Sequence, residues 1–118
     1  MSIGDSIIRV DGEEKVRATT RFCADLDLPG LWHAVVVRSD VPAGTIQGLE
    51  LGPGLEALDA VVLGPGDIPG ENVISIIEKD MPCLAGDEVR YLGEPLALVA
   101  APTLEQARRA SHLVQPRI

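Results

Sequence analysis

At 118 residues, the chain is sized for one domain that hides roughly two-thirds of its unfolded surface, and aliphatic side chains must build the core because only Phe22, Trp32 and Tyr91 are aromatic. Ten basic against eighteen acidic residues leave a formal charge of −8, which repels phosphate backbones, and so few aromatics disfavour base stacking; nucleic-acid partners are therefore excluded. No apolar run is long enough to span a bilayer, Met1-Ser2-Ile3-Gly4-Asp5 lacks the regions of a signal peptide, and Cys23 and Cys83 show no paired spacing, which together imply a cytoplasmic protein with two reduced thiols and no membrane role.

Residues 1–21 are charged and loosely patterned, with Ile7, Ile8 and Val10 the one apolar cluster before the turn dipeptide Asp11-Gly12, and predict an extended N-terminal arm. After the Asp25 to Gly30 turn, Leu31 to Arg38 is the best early strand. Thr45 to Leu51 predicts a second strand, Leu55 to Leu58 at most one helical turn, and Asp59 to Leu63 a third strand. Gly52-Pro53-Gly54 and Gly64-Pro65-Gly66 punctuate these, but their flanks do not align, so no internal repeat is inferred. Pro65 and Pro69 forbid a regular helix there, and with it a dinucleotide-binding glycine loop.

The last third organises the rest. Val89 to Leu92 reads as a strand, Gly93-Glu94-Pro95 as a tight turn, and Leu96 to Ala101 as an unbroken apolar strand that needs cover on both faces. Thr103 stands at an N-cap position with Gln106 three residues on, the spacing of a capping box, and Leu104, Ala107, Ser111 and Val114 form a helical stripe. The expected architecture is α+β: a single domain over 1–118, with a mixed sheet and one principal C-terminal helix from Leu104 to about Val114.

Candidate chemistry is sparse. Glu94, in a tight turn beside a buried strand, is the one carboxylate that desolvation would turn into a base, but no His, Cys or second acid lies at an activating spacing, so a solvent-facing or amide-capping Glu94 is the preferred reading. Cys23, His33, Cys83 and His112 suffice in number for zinc, yet each stands alone, where structural zinc takes ligands in close pairs. Ser39 and Ser111 lack a nucleophile elbow, and Arg90, Arg108 and Arg109 read as solvated surface charge. No catalytic, cofactor-binding or metal residue is therefore expected in this chain. Between Asp67 and Met81, Val73, Ile74, Ile76 and Ile77 crowd four bulky aliphatics into five positions; a strand hides one face only, so some of them are expected to look outward at a partner.

The segment Asp80-Met81-Pro82-Cys83-Leu84-Ala85-Gly86-Asp87-Glu88-Val89-Arg90-Tyr91-Leu92-Gly93-Glu94-Pro95-Leu96-Ala97 resembles one of the xanthine dehydrogenase and aldehyde oxidase family, in the α/β-hammerhead domain of the molybdopterin-binding subunit. Arg9-Val10-Asp11-Gly12-Glu13-Glu14-Lys15-Val16 resembles the opening of the same domain, and Asp67-Ile68-Pro69-Gly70-Glu71-Asn72 its Asp-x-Pro-Gly-x-Asn turn. There are departures. Arg17-Ala18 stand where Thr-Gly is usual, so an alanine occupies a place suited to glycine's freedom at positive φ, and the family's His is lost from Asp40-Val41-Pro42-Ala43-Gly44.

The resemblance implies a hammerhead module of a molybdenum hydroxylase, with a structural and inter-domain role and no activity by itself. A free-standing acidic scaffold or binding protein with the same fold is the alternative. The parent enzyme is implied to carry molybdenum-molybdopterin and iron-sulfur clusters, with the pterin-binding domain or subunit and the iron-sulfur subunit as partners, while the pterin-holding residues and catalytic glutamate lie in a region this chain lacks. By the same resemblance, Ile76 and Ile77 are candidates for an interface or the mouth of the substrate funnel, with ordinary core packing of a Val73 to Ile77 strand the preferred reading.

Overall fold

The structure, a computed structural model, describes residues 3–75 and 77–118. Among them, the elements in chain order are α1 (Gly12–Val16), β1 (His33–Arg38), β2 (Gly44–Thr45), β3 (Gly48–Leu51), β4 (Val61–Leu63), β5 (Glu88–Val89), β6 (Pro95–Ala101), α2 (Leu104–Ser111) and β7 (Val114–Arg117), with single 3-10 turns at Cys23–Asp25, Glu56–Leu58 and Pro65–Asp67.

The apolar run that wanted cover on both faces is the middle strand of a three-stranded sheet ordered β1-β6-β4. Register pairs Val35 with Val99 on one side and Val62 with Val99 on the other, so Val99 sits at the centre with 0% of its surface exposed. Burying such a side chain contributes about 2 kcal/mol. Around it Val37, Ala97, Ala110 and Val114 close the main core, with Leu49, Leu55, Leu58, Ala60 and Val62 packed at its margin. Small residues let α2 lie close: Ala107 and Ala110 are both fully buried. The helix starts at the expected cap, Thr103 Oγ1 accepting from the Gln106 N–H at 3.2 Å. Gln106 answers through its own side chain, Oε1 accepting from the Thr103 hydroxyl at 2.7 Å rather than from the Thr103 backbone.

A second, smaller core gathers Ala85, Val89 and Leu96 with Val41, Ile46 and Ile118. Leu96 belongs to β6, so this strand feeds both cores. Ile118 seats over β2 at Gly44, where an added Cβ would run into Ile118 Cγ2. The constraint there is one of space, not of φ, since a side chain at position 44 would oblige Ile118 to shift.

Several expectations are corrected. All described ladders are antiparallel, not mixed: β1 and β4 with β6, β2 with β5, β3 with β7. Parallel neighbours need a long crossover, and the one substantial helix leads instead from β6 into β7. The predicted strand Thr45 to Leu51 is two strands that change partners, since β2 pairs with β5 and β3 with β7. The helix stops at Ser111, and Val114 opens a strand in which Pro116 is tolerated because a two-stranded ladder leaves one edge free. The strand expected from Val89 to Leu92 ends at Val89, because the chain turns at Tyr91 to Glu94 with Gly93 at φ +83° and the Glu94 N–H donating to the Tyr91 carbonyl at 3.2 Å.

The molecule measures 62 × 37 × 26 Å with a radius of gyration of 20.0 Å. A compact chain of this length has a radius of roughly 13 to 14 Å. The excess comes with an N-terminal segment, residues 3–32, in which no described residue is buried. Its local order is real nonetheless. α1 ends in a Schellman arrangement, the Thr19 N–H donating to the Glu14 carbonyl at 2.9 Å and the Ala18 N–H to that of Lys15 at 3.2 Å. Ala18 takes φ +55°, the left-handed conformation the missing glycine would have adopted freely.

Candidate functional site

The segment expected to face a partner is a loop with a pinched neck. Upstream, the Gly64 N–H donates to Asp67 Oδ2 at 2.7 Å, closing the 3-10 turn that Pro65 begins. Asn72 then clamps Leu84 across the neck: its Nδ2 donates to the Leu84 carbonyl at 2.6 Å while its Oδ1 accepts from the Leu84 N–H at 3.0 Å. One side-chain amide thus imitates a strand partner. The Ile74 N–H donates to the Met81 carbonyl at 2.6 Å, forming an isolated bridge, and Lys79 pairs with Glu71 at 2.7 Å. That ion pair is solvent-exposed and contributes little. Beyond the bridge, Ile77 is 93% exposed, and with Ile74 and Met81 it forms an apolar depression edged by Glu78 and Asp80. Ile76 lies outside the described residues.

Glu94 is only 2% exposed, and its carboxylate accepts from the Arg90 N–H at 2.5 Å, the amide-capping role. Around it, Ser39 and Gly93–Glu94 exchange backbone bonds, the Ser39 N–H to the Glu94 carbonyl and the Gly93 N–H to the Ser39 carbonyl, each at 2.9 Å. The buried Ser39 hydroxyl donates to the Val41 carbonyl at 2.8 Å, and that of Ser111 donates to the Arg108 carbonyl at 2.8 Å. Both serines are thus spent on local backbone. Cys23 is exposed and Cys83 half-buried, both unpaired; His33 is half-buried on β1 and His112 exposed after α2. Among the described residues no three His, Cys, Asp or Glu side chains gather as metal ligands, so the sequence's four candidates are not brought together. Arg90, Arg108 and Arg109 are exposed. Among the described residues the buried polar ones, Ser39 and Glu94, both hydrogen-bond to backbone groups.

The family model for "Aldehyde oxidase and xanthine dehydrogenase, a/b hammerhead domain" matches residues 17–116. The chain belongs to this hammerhead family. Among curated relatives, the hammerhead chain is 42% identical over 110 residues to the nicotinate dehydrogenase large molybdopterin subunit of Eubacterium barkeri, covering 92% of this chain and 26% of that one. It is 38% identical over 112 residues to a probable xanthine dehydrogenase subunit of Bacillus subtilis, covering 93% and 15%. The hammerhead chain thus spans about a quarter or less of these relatives' length. Among solved structures, quinoline 2-oxidoreductase from Pseudomonas putida 86 superposes with a TM-score of 0.81 at 26% identity, over 98% of this chain and 16% of that one. CO dehydrogenase from Oligotropha carboxidovorans shares the fold, with a TM-score of 0.84 at 23% identity over 97% and 15%.

Two features of this hammerhead were missed from sequence. The Asn72 clamp was visible only as part of a turn motif, since its partner is 12 residues away. The second is the set of exposed apolar residues after the predicted arm: Leu28 and Trp32 fall on the predicted turn and strand and Phe22 on neither, and their lack of any period was the available signal.

Proposed function

We propose that this chain serves as the hammerhead module of a molybdenum hydroxylase, a single unit over 1–118 with a structural and inter-domain role and no catalysis of its own. The observation that carries this is surface. The chain exposes 9058 Å², whereas a self-sufficient domain of 12.5 kDa exposes roughly 6,200 Å². So much excess suits a piece that packs against something larger. Molybdenum-molybdopterin and iron-sulfur clusters belong, on this reading, to the rest of the enzyme, and the partners are its pterin-binding and iron-sulfur parts. The setting is the cytoplasm, in keeping with two unpaired thiols; no helix is long and apolar enough to cross a membrane among the described residues.

The test is purification of the tagged chain from its native host with molybdenum and iron analysis of the eluate. Both metals should co-elute in a larger assembly, and a lone metal-free monomer would overturn the proposal in favour of a scaffold protein. Ile76 and Ile77 are proposed to face the enzyme's interior or its substrate entrance, supported by the exposure of Ile77 at the loop tip. Ile76→Asp and Ile77→Asp are expected to impair assembly or turnover while leaving the module folded. Unfolding of the module by either change would mark these residues as core.

A further inference from the structure

We propose that residues 3–32 are an apolar strap that docks into an apolar groove on the remainder of the molybdopterin subunit, so that the module is held by hydrophobic anchors rather than by charge. The inference rests on the module reading above and adds which surface does the holding and with what chemistry.

The strap is not part of this module's own core. Its Ile8 is 89% exposed, Val10 fully so and Phe22 61%, and Ile7, Leu28 and Trp32 are exposed as well. The hydrogen bonds and ion pairs described for residues 9–31 stay within the segment: Arg9 and Lys15 both reach Asp11, Arg17 reaches Glu13 at 2.9 Å, and the Phe22 N–H donates to Asp25 at 2.9 Å. What stabilises the segment locally therefore leaves its apolar side chains facing water, an arrangement that persists in soluble proteins chiefly where another surface covers it.

Charge separates the strap from the rest. It holds six acidic against four basic residues, several of them already paired with one another, whereas residues 33–118 hold twelve against six. A basic partner surface would seek the larger, more acidic portion. The strap offers aliphatic and aromatic anchors, the kind of side chains that dominate the buried centre of interfaces.

Area and length identify the occupant. The surface above the expected value for this mass is near 3,000 Å², against roughly 800 Å² that each partner gives to an interface of standard size. The receiving surface must be correspondingly large. This chain spans 26% and 15% of the two relatives, both far longer chains, and the first is a large molybdopterin subunit, so the matching surface lies in the rest of such a subunit.

The experiment captures the remainder of the molybdopterin subunit with the tagged 118-residue chain at low and at high salt. Wild type is compared with the double variants Ile7→Ser/Ile8→Ser and Phe22→Ala/Trp32→Ala. Wild type should hold its partner at both salt levels, and each double variant should lose about tenfold or more in affinity, while the thermal unfolding of the chain itself is unmoved. Variants that bind as well as wild type, or wild-type binding that collapses in high salt, would overturn the strap and leave the module reading standing. Failure of wild type to bind at all would overturn the module reading itself. Self-association of the wild-type chain that the variants abolish would assign the groove to a second copy and overturn the occupant named here.

Discussion

Residues 3–32 and 33–118 are almost equally apolar, thirteen of thirty residues in the first against forty of eighty-six in the second, yet the first has no buried residue and the second contains both cores. Composition therefore does not decide burial; spacing does. β6 presents Ala97, Val99 and Ala101 at every second position, so a whole face turns inward at once, whereas Ile7, Ile8, Val10, Val16 and Phe22 share neither a strand nor a helix period.

The comparison breaks most visibly at Val99. Val99→Asp places an unpaired carboxylate at the centre of the sheet and is expected to cost about 4 kcal/mol or more in chemical denaturation. The matched change Ile8→Asp should stay within about 0.5 kcal/mol. Equal effects would show that the N-terminal segment is packed after all.

Glu94→Ala removes the acceptor of the Arg90 amide and should cost about 2 kcal/mol. Glu94→Gln keeps an acceptor and should recover most of it. If the two variants unfold alike, charge rather than capping explains the buried carboxylate.

Gly44→Ala should cost about 1–2 kcal/mol by driving a methyl into Ile118. Combining it with Ile118→Ala tests the contact directly, since a shared clash makes the double variant less unstable than the sum of the singles. Additive losses would disconnect the two positions.

Ala18→Gly relieves the left-handed alanine at the end of α1 and should stabilise that turn by about 0.5 kcal/mol after glycine's added chain entropy. Amide exchange at Ala18 and Thr19 should slow while that of β6 stays the same. A smaller effect concerns Asp11, whose carboxyl is held below its ordinary value by Lys15 and, secondarily, Arg9. A depressed carboxylate helps above its ordinary value and stops helping as pH falls through the lowered one. Acid titration followed by NMR should therefore loosen α1 only once Asp11 protonates, below the usual carboxylate range, without a matching shift at Val99.

These contrasts mark what was legible in the sequence. β6 and the cap at Thr103 were readable because their signals are local: an apolar run, a proline, a hydroxyl and a glutamine at fixed offsets. β7 was not, because Ser111 and Val114 continue the helical stripe and what ends it is pairing with β3, more than sixty residues earlier. The same holds for β5, whose partner is β2 and not its neighbour β6. At the loop the crowding of aliphatics did predict outward-facing side chains, and Ile77 is one. The apolar run from Val73 was expected to behave as a strand, and a single bridge at Ile74 is all that forms among its described residues, since the bridging Met81 is followed directly by Pro82. Family resemblance, not patterning, carried the identity of the fold.

The two hydrogen bonds of Asn72 give the loop a further property. A segment whose ends are joined by one side chain behaves as a closed ring on an anchored base, and the chain entropy of such a ring grows only with the logarithm of its length, about 0.6 kcal/mol for each doubling. The tip between Ile74 and Met81 can therefore be lengthened, shortened or exchanged at little thermodynamic cost while its base stays in place. Within one scaffold, that makes the tip a region free to diverge.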